Sequence, residues 1–112
     1  MKSSQKLTKE QLEPYFLEWD KVAADLANLH RQRDKRSKEA MLAGLEVYSD
    51  LLAHCREALQ DNEFQPLNGS ERLSFVEASL GTYAAYRQMD ELFAELKKII
   101  ARKRIEIKRL NE

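Results

Sequence analysis

One face of the second predicted helix groups side chains that could bind a metal ion. Asp50, His54 and Glu57 are spaced by four and three residues, so they share one face of an α-helix. Carboxylates and imidazoles are metal ligands, but one helix rarely supplies a complete coordination shell. Neither histidine follows a glutamate by three residues, the spacing that ferritin-like di-iron bundles use. We therefore expect a solvated polar face, with no metal site and no other cofactor.

The single cysteine is the other candidate for chemistry. Cys55 falls on the apolar stripe of the same helix, and its neighbour His54 cannot face it, because adjacent helical residues point in different directions. A nucleophilic thiol needs a nearby base and a lowered pKa, so we expect a buried, unreactive thiol. Phosphate-binding loops, nucleophile elbows and dinucleotide fingerprints are absent from the sequence. We predict that the protein is not an enzyme.

Apolar residues recur at helical spacing through most of the chain. The last stripe is the longest, and it comprises Tyr86, Met89, Phe93, Leu96, Ile100, Ile107 and Leu110. We expect the first long helix to start at Pro14 and to end near Arg33, after a separate short turn that Thr8 opens. The second long stripe runs from Met41 to Leu59.

A short third helix is predicted between the second and the last. Asn68 and Glu71 have the spacing of a capping box that would start it. We expect Gly81 to end it in a left-handed conformation and Thr82 to start the last helix.

Three glycines, two prolines and no strand pattern favour long helices over a sheet. Short connections place consecutive helices antiparallel to each other. The sequence therefore predicts an all-α fold, an up-down antiparallel helical bundle of three long helices plus one short helix. We expect a single domain over residues 1–112, with residues 1–7 as a flexible N-terminal arm.

Charged residues balance overall, with 19 basic and 19 acidic side chains, but their distribution is uneven. The turn after the first helix holds five basic residues, namely Arg31, Arg33, Lys35, Arg36 and Lys38. The end of the last helix holds a second basic group, comprising Arg102, Lys103, Arg104, Lys108 and Arg109. In an up-down bundle we expect these two groups to share one pole.

The last stripe spans about 36 Å, against about 27 Å and 21 Å for the other long stripes, so it should outreach its partners. We expect Ile105, Ile107 and Leu110, framed by the second basic group, to bind a protein partner or a second copy of the chain, for example as a homodimer. The leading hypothesis is a non-enzymatic protein–protein interaction module. The alternative is a weak binder of nucleic acid or another polyanion through the basic pole.

The longest apolar runs fall short of the roughly 18 residues that a membrane helix requires, and a hydrophobic secretion signal is not evident at the start of the sequence. One cysteine also suits a reducing compartment. We expect a cytoplasmic protein that does not insert into membranes.

Residues 66–76, Tyr83 and residues 88–96 resemble the YpoC-like group, small uncharacterised helical proteins of Bacillus-type bacteria. The resemblance implies a helical fold and a bacterial cytoplasm, and it brings no activity or cofactor. It also raises a question about Asn68, Glu71 and Arg72, which either cap the short helix or form a polar contact surface. Capping accounts for Asn68 and Glu71 but leaves Arg72 unexplained.

Overall fold

The computed structural model describes residues 6–110, which form four α-helices joined by short connections. Helix α1 spans Lys9–Arg31, α2 spans Ser37–Leu59, α3 spans Gly69–Ala78 and α4 spans Tyr83–Leu110. Each helix runs antiparallel to the one before it, so α2 and α4 point in the same direction. The predicted all-α bundle of three long helices and one short helix is confirmed.

Helix α1 begins five residues earlier than predicted. Thr8 caps α1 itself, because its hydroxyl oxygen accepts a hydrogen bond from the Gln11 amide at 3.3 Å. Pro14 therefore lies inside the helix, where it lacks the N–H that would bond to the Glu10 carbonyl. Starting the helix at Lys9 carries Leu12 into the core, where it is fully buried, and this burial together with the cap offsets the lost hydrogen bond.

The ends of α3 also differ from prediction. Asn68 has a left-handed backbone with φ of 55°, and its side chain makes no capping hydrogen bond. The capping box is therefore wrong, because an N-cap side chain reaches the first turn from an extended backbone. Gly81 was expected in a left-handed conformation, but its φ is not positive. Thr82 does start α4, since its hydroxyl oxygen accepts from the Ala85 amide at 3.1 Å.

The core forms around Trp19, which lies where α1, α2 and α4 meet. Its indole ring stacks on Phe93 of α4 with ring centroids 4.6 Å apart and planes 10° apart. Its Nε1–H donates to the Asp90 carboxylate at 3.0 Å, so the one polar atom of the ring is satisfied. On the α2 side the ring lies against Gly44, where a Cβ atom would come within 2.7 Å of Trp19 Cζ3.

The predicted flexible arm, residues 1–7, is only partly within the described residues, since residues 1–5 lie outside them. Leu7 is fully buried in the core cluster. Its carbonyl oxygen accepts a hydrogen bond from Arg104 Nε on α4. The Lys6 carbonyl accepts from His54 Nε2 at 2.7 Å, which leaves Nδ1 of the same ring facing the Tyr15 hydroxyl at 3.2 Å. Lys6 and Leu7 are thus packed against the bundle.

Arg72, which capping left unexplained, joins α3 to α4. Its Nη1 donates to Glu95 at 3.0 Å and to the Leu67 carbonyl at 3.1 Å. With its amide oxygen turned toward the guanidinium, Gln88 accepts two further hydrogen bonds from Arg72 at 2.8 and 2.9 Å. The short helix is therefore held along the side of α4.

The Trp19–Gly44 contact predicts that Gly44→Ala destabilises the protein, although alanine favours a helix interior by about 1 kcal/mol. The added Cβ meets a rigid ring that stacks on Phe93, and overpacking of this kind costs about 1–3 kcal/mol. We expect a net loss of about 1 kcal/mol in the free energy of unfolding, measured by urea denaturation. Ala43→Gly, at the exposed neighbouring position, measures what an exchange between alanine and glycine contributes through helix propensity alone. A Gly44→Ala variant more stable than the parent would contradict the prediction.

The Arg72–Glu95 pair predicts a pH dependence of stability. The hydrogen bond from Arg72 holds the pKa of the Glu95 carboxyl below its ordinary value of 4.5. The pKa of Glu95 is therefore lower in the folded protein than in the unfolded chain. The pair contributes its full stabilisation at pH values above the unfolded-state pKa, and this contribution is lost as the pH falls through the folded-state pKa. Glu95→Gln should lower stability by a few tenths to about 1 kcal/mol near pH 7, and the difference should shrink near pH 3. Denaturant unfolding at both pH values tests this, with Glu46→Gln as an exposed control.

Candidate interaction surfaces

The end of α4 extends beyond the rest of the bundle. Helix α4 has 28 residues and is about 42 Å long, whereas α1 and α2 have 23 residues each and are about 35 Å long. The contact between Arg104 and Leu7 marks the level at which α1 begins. Residues 105–110 therefore project past α1 by about 9 Å.

Five of the eight residues predicted to bind a partner are exposed, four of them on this projection and Arg102 just before it. We call these five the C-terminal tip: Arg102, Ile105, Lys108, Arg109 and Leu110. Ile105 is 53% exposed and Leu110 is 86% exposed, which is unusual for large apolar side chains.

The other three predicted residues are engaged within the protein. Ile107 is half-buried against the core cluster, and Lys103 forms an ion pair with Glu106 at 3.5 Å. Arg104 holds the Leu7 carbonyl.

An apolar groove runs between α1 and α4 beside the same end of the molecule. We call it the α1–α4 groove. Its apolar residues are Leu12, Phe16, Leu17 and Ile100, its acidic residues are Glu13 and Asp20, and its basic residues are Lys9, Lys97 and Arg104. Its volume is about 150 Å³. Sequence reasoning missed this groove, although Leu17 lies off the buried stripe of α1 and is an exposed leucine. That residue is the signal that could have indicated the groove.

The two basic groups do not share a pole, and this prediction is wrong. The first group, which we call the basic turn, comprises Arg31, Arg33, Lys35, Arg36 and Lys38, and all five are exposed. His30 beside this turn packs against Tyr83 at the start of α4, with ring centroids 5.8 Å apart. The end of α4 instead contacts Leu7. Because α3 returns the chain along the bundle before α4 begins, the C-terminal tip lies at the opposite end from the basic turn.

The basic turn has a defined conformation. Arg33 takes a left-handed backbone with φ of 54°, and Asp34 accepts hydrogen bonds from the Arg36 amide at 2.9 Å and from the Arg36 guanidinium. The hydrogen bond from the Arg36 side chain lowers the pKa of Asp34 to about 2. The single acidic side chain of the turn is therefore ionised and paired, and the turn retains a net positive charge.

Two of the three candidate metal-binding side chains are occupied by structural contacts, whereas Asp50 is exposed. His54 bonds to Lys6 and Tyr15, and Glu57 pairs with Lys6 at 3.3 Å. Within residues 6–110 no three metal-ligating side chains are grouped closely enough to hold an ion. Cys55 is buried in the core, as predicted, and burial raises the pKa of its thiol to about 12, which keeps it protonated.

Comparison with known protein families matches residues 9–108 to the YpoC-like protein family. The chain belongs to the YpoC-like family. The match extends beyond the stretch between residues 66 and 96 that carried the resemblance, and it includes most of α1, α2 and α4. Comparison with curated proteins and with solved structures finds no significant match. Within residues 6–110, none of the helices combines the length and hydrophobicity that crossing a membrane requires.

Proposed function

We propose that the protein is a non-enzymatic interaction module that pairs with a second copy of itself. In this proposal the C-terminal tip of each copy binds in the α1–α4 groove of the other. The observation that carries the proposal is that an exposed apolar helix end lies beside an apolar groove of the same molecule. A bacterial cytoplasm as the site of action belongs to the same proposal, and the buried thiol of Cys55 is compatible with it.

The apolar part of the contact accounts for the exposure of Ile105 and Leu110. Burying a side chain of this size contributes about 1.5–3 kcal/mol. The groove volume of about 150 Å³ is comparable to cavities that hold one benzene molecule, so it can accept one such side chain. Phe16 and Leu17 supply the accessible apolar walls.

The groove offers two carboxylates with which the cations of the tip can pair. The tip carries three exposed cations, at Arg102, Lys108 and Arg109, and none of them forms an ion pair within the described residues. The groove carries Glu13 and Asp20, both exposed, together with Lys9, Lys97 and Arg104. Of these cations, Arg104 is bonded to the Leu7 carbonyl and Lys97 lies over the Phe16 ring. Ion pairs between the tip and the two carboxylates favour one docking orientation, and the groove cations oppose part of that attraction.

The position of both surfaces at one end of the molecule suits twofold symmetry. If the ends of two copies meet, each tip can lie along the other's groove, so the same pair of contacts forms twice. Such an interface closes on itself and yields a dimer rather than a fibre. The two copies overlap along about 9 Å of projecting helix each, so we expect a moderately stable dimer.

Sedimentation velocity over a concentration series tests the pairing. The parent protein should pass from monomer to dimer as its concentration rises, and Ile105→Asp should raise the dissociation constant at least about tenfold. Leu42→Asp is a matched control, because Leu42 on α2 is also 53% exposed and lies away from the tip and groove. It should leave the dissociation constant unchanged.

Charge reversal tests the orientation. Glu13→Lys should weaken the dimer, and adding Arg109→Glu in the same chain should restore part of the affinity if the two residues face each other across the interface. If Leu42→Asp weakens the dimer as much as Ile105→Asp does, the C-terminal tip is not the dimer interface. A parent protein that stays monomeric at all concentrations would refute self-association and would favour docking on a different protein.

A further inference from the structure

A pocket at the basic turn lies at the opposite end from the C-terminal tip. Its volume is about 590 Å³, and it is lined by His30, Arg33, Asp34, Lys35, Ser37, Lys38 and Gly81. We call it the turn pocket. We propose that the turn pocket binds a small anion carrying one or two phosphate groups, held by Arg33, Lys35, Lys38 and the Ser37 hydroxyl. This site is independent of the proposed dimer.

The cations of the pocket are available to a ligand. Arg33, Lys35 and Lys38 take part in none of the ion pairs found within residues 6–110. The one acidic group lining the pocket, Asp34, is held by Arg36 through both carboxylate oxygens. A ligand anion would thus meet three unpaired positive charges and a carboxylate whose charge is already compensated.

Ser37 provides a second, independent indication of a ligand. It is 4% exposed and is the one polar or charged residue in the buried class among the described residues. Its hydroxyl forms no hydrogen bond to a protein group within residues 6–110 and is not sealed from solvent, so it is open to the turn pocket that it lines. Ser37 is also the first residue of the 23-residue helix α2, where the helix dipole favours negative charge.

His30 lies against the same pocket with an unsatisfied nitrogen. Its Nε2 atom is inaccessible to solvent and has no hydrogen-bond partner, while its ring packs edge-on against Tyr83. Because that nitrogen is sealed from solvent, it does not meet a ligand in the open turn pocket. The polar groups that a ligand meets there are the Ser37 hydroxyl and the three cations.

The donors favour a phosphate over a carboxylate. Arg33, Lys35, Lys38 and Ser37 together offer several N–H and O–H donors from different directions. A carboxylate has two oxygens in one plane, whereas a terminal phosphate presents three oxygens in a tetrahedral arrangement. A long nucleic acid is less suitable, because the second basic group lies at the far end of a molecule 52 Å long and does not continue the surface.

Lys38 is positioned over the pocket by Gly81. A Cβ atom at Gly81 would lie 3.1 Å from Lys38 Cε and 3.2 Å from its Cγ, so the lysine side chain passes directly over the glycine. A larger residue at position 81 would displace the Lys38 ammonium without changing any charge. This gives a neutral variant for testing the site.

Titration of the ¹⁵N-labelled full-length protein with inorganic pyrophosphate, followed by NMR, tests the proposal. We expect saturable shifts centred on residues 30–38 and on Gly81. A Lys35→Glu, Lys38→Glu double variant should bind at least about tenfold more weakly, and Ser37→Ala about threefold to tenfold more weakly. Alanine is a better helix former than serine, so Ser37→Ala should fold, and circular dichroism can verify this.

A charge-matched control distinguishes a site from general attraction. Lys21→Glu with Lys98→Glu makes the same change in net charge at exposed positions outside the turn pocket, the C-terminal tip and the α1–α4 groove, and should alter pyrophosphate affinity by less than about twofold. The proposal would be overturned if both double variants lost pyrophosphate affinity equally, or if Ser37→Ala kept full affinity. It would also be overturned if the titration produced no saturable shifts. A single-stranded oligonucleotide would also overturn it by binding more tightly than pyrophosphate and losing affinity equally in both double variants. None of these outcomes depends on whether the dimer forms.

Discussion

The stacking of Trp19 on Phe93 is the contact on which the arrangement of the three long helices depends. The indole ring occupies the space between α1 and α4, and Asp90 accepts its N–H at 3.0 Å. On the other side Gly44 lets α2 approach the ring directly, which no residue with a Cβ could do without displacement. Because one rigid side chain contacts both neighbouring helices, sliding either helix along α1 would break the stack or create a clash. The positions of the helix ends follow from this junction.

The same aromatic layer separates α1 from α4. Helix α1 packs more extensively on α2, where glycine allows close contact, than on α4, where Phe16, Trp19 and Phe93 lie between the helices. A wider gap between α1 and α4 leaves a groove beyond the aromatic layer, toward Leu12 and Ile100. The groove proposed to receive a second copy is thus a consequence of how the core is packed, and its apolar walls are outer edges of that core.

Helix α3 decides which charges come together. It has only 10 residues, yet it carries the chain back along the bundle and is held against α4 by Arg72, Glu95 and Leu67. Helix α4 must therefore start beside the basic turn and end at the opposite pole. The two positively charged regions become separate surfaces with different neighbours: one borders the turn pocket, and the other borders an apolar groove lined by both acidic and basic residues.

The sequence by itself determined the helical class, the number of helices and most of the core. Each of these follows from local periodicity, as in the stripe through Met89, Phe93, Leu96 and Ile100. Tertiary structure decided the start of α1, because the burial of Leu12 outweighs the cost of Pro14 inside a helix. It also decided the role of Arg72 and the separation of the basic regions. Both depend on which helices become neighbours, and residues distant in sequence carry no local signal of that proximity.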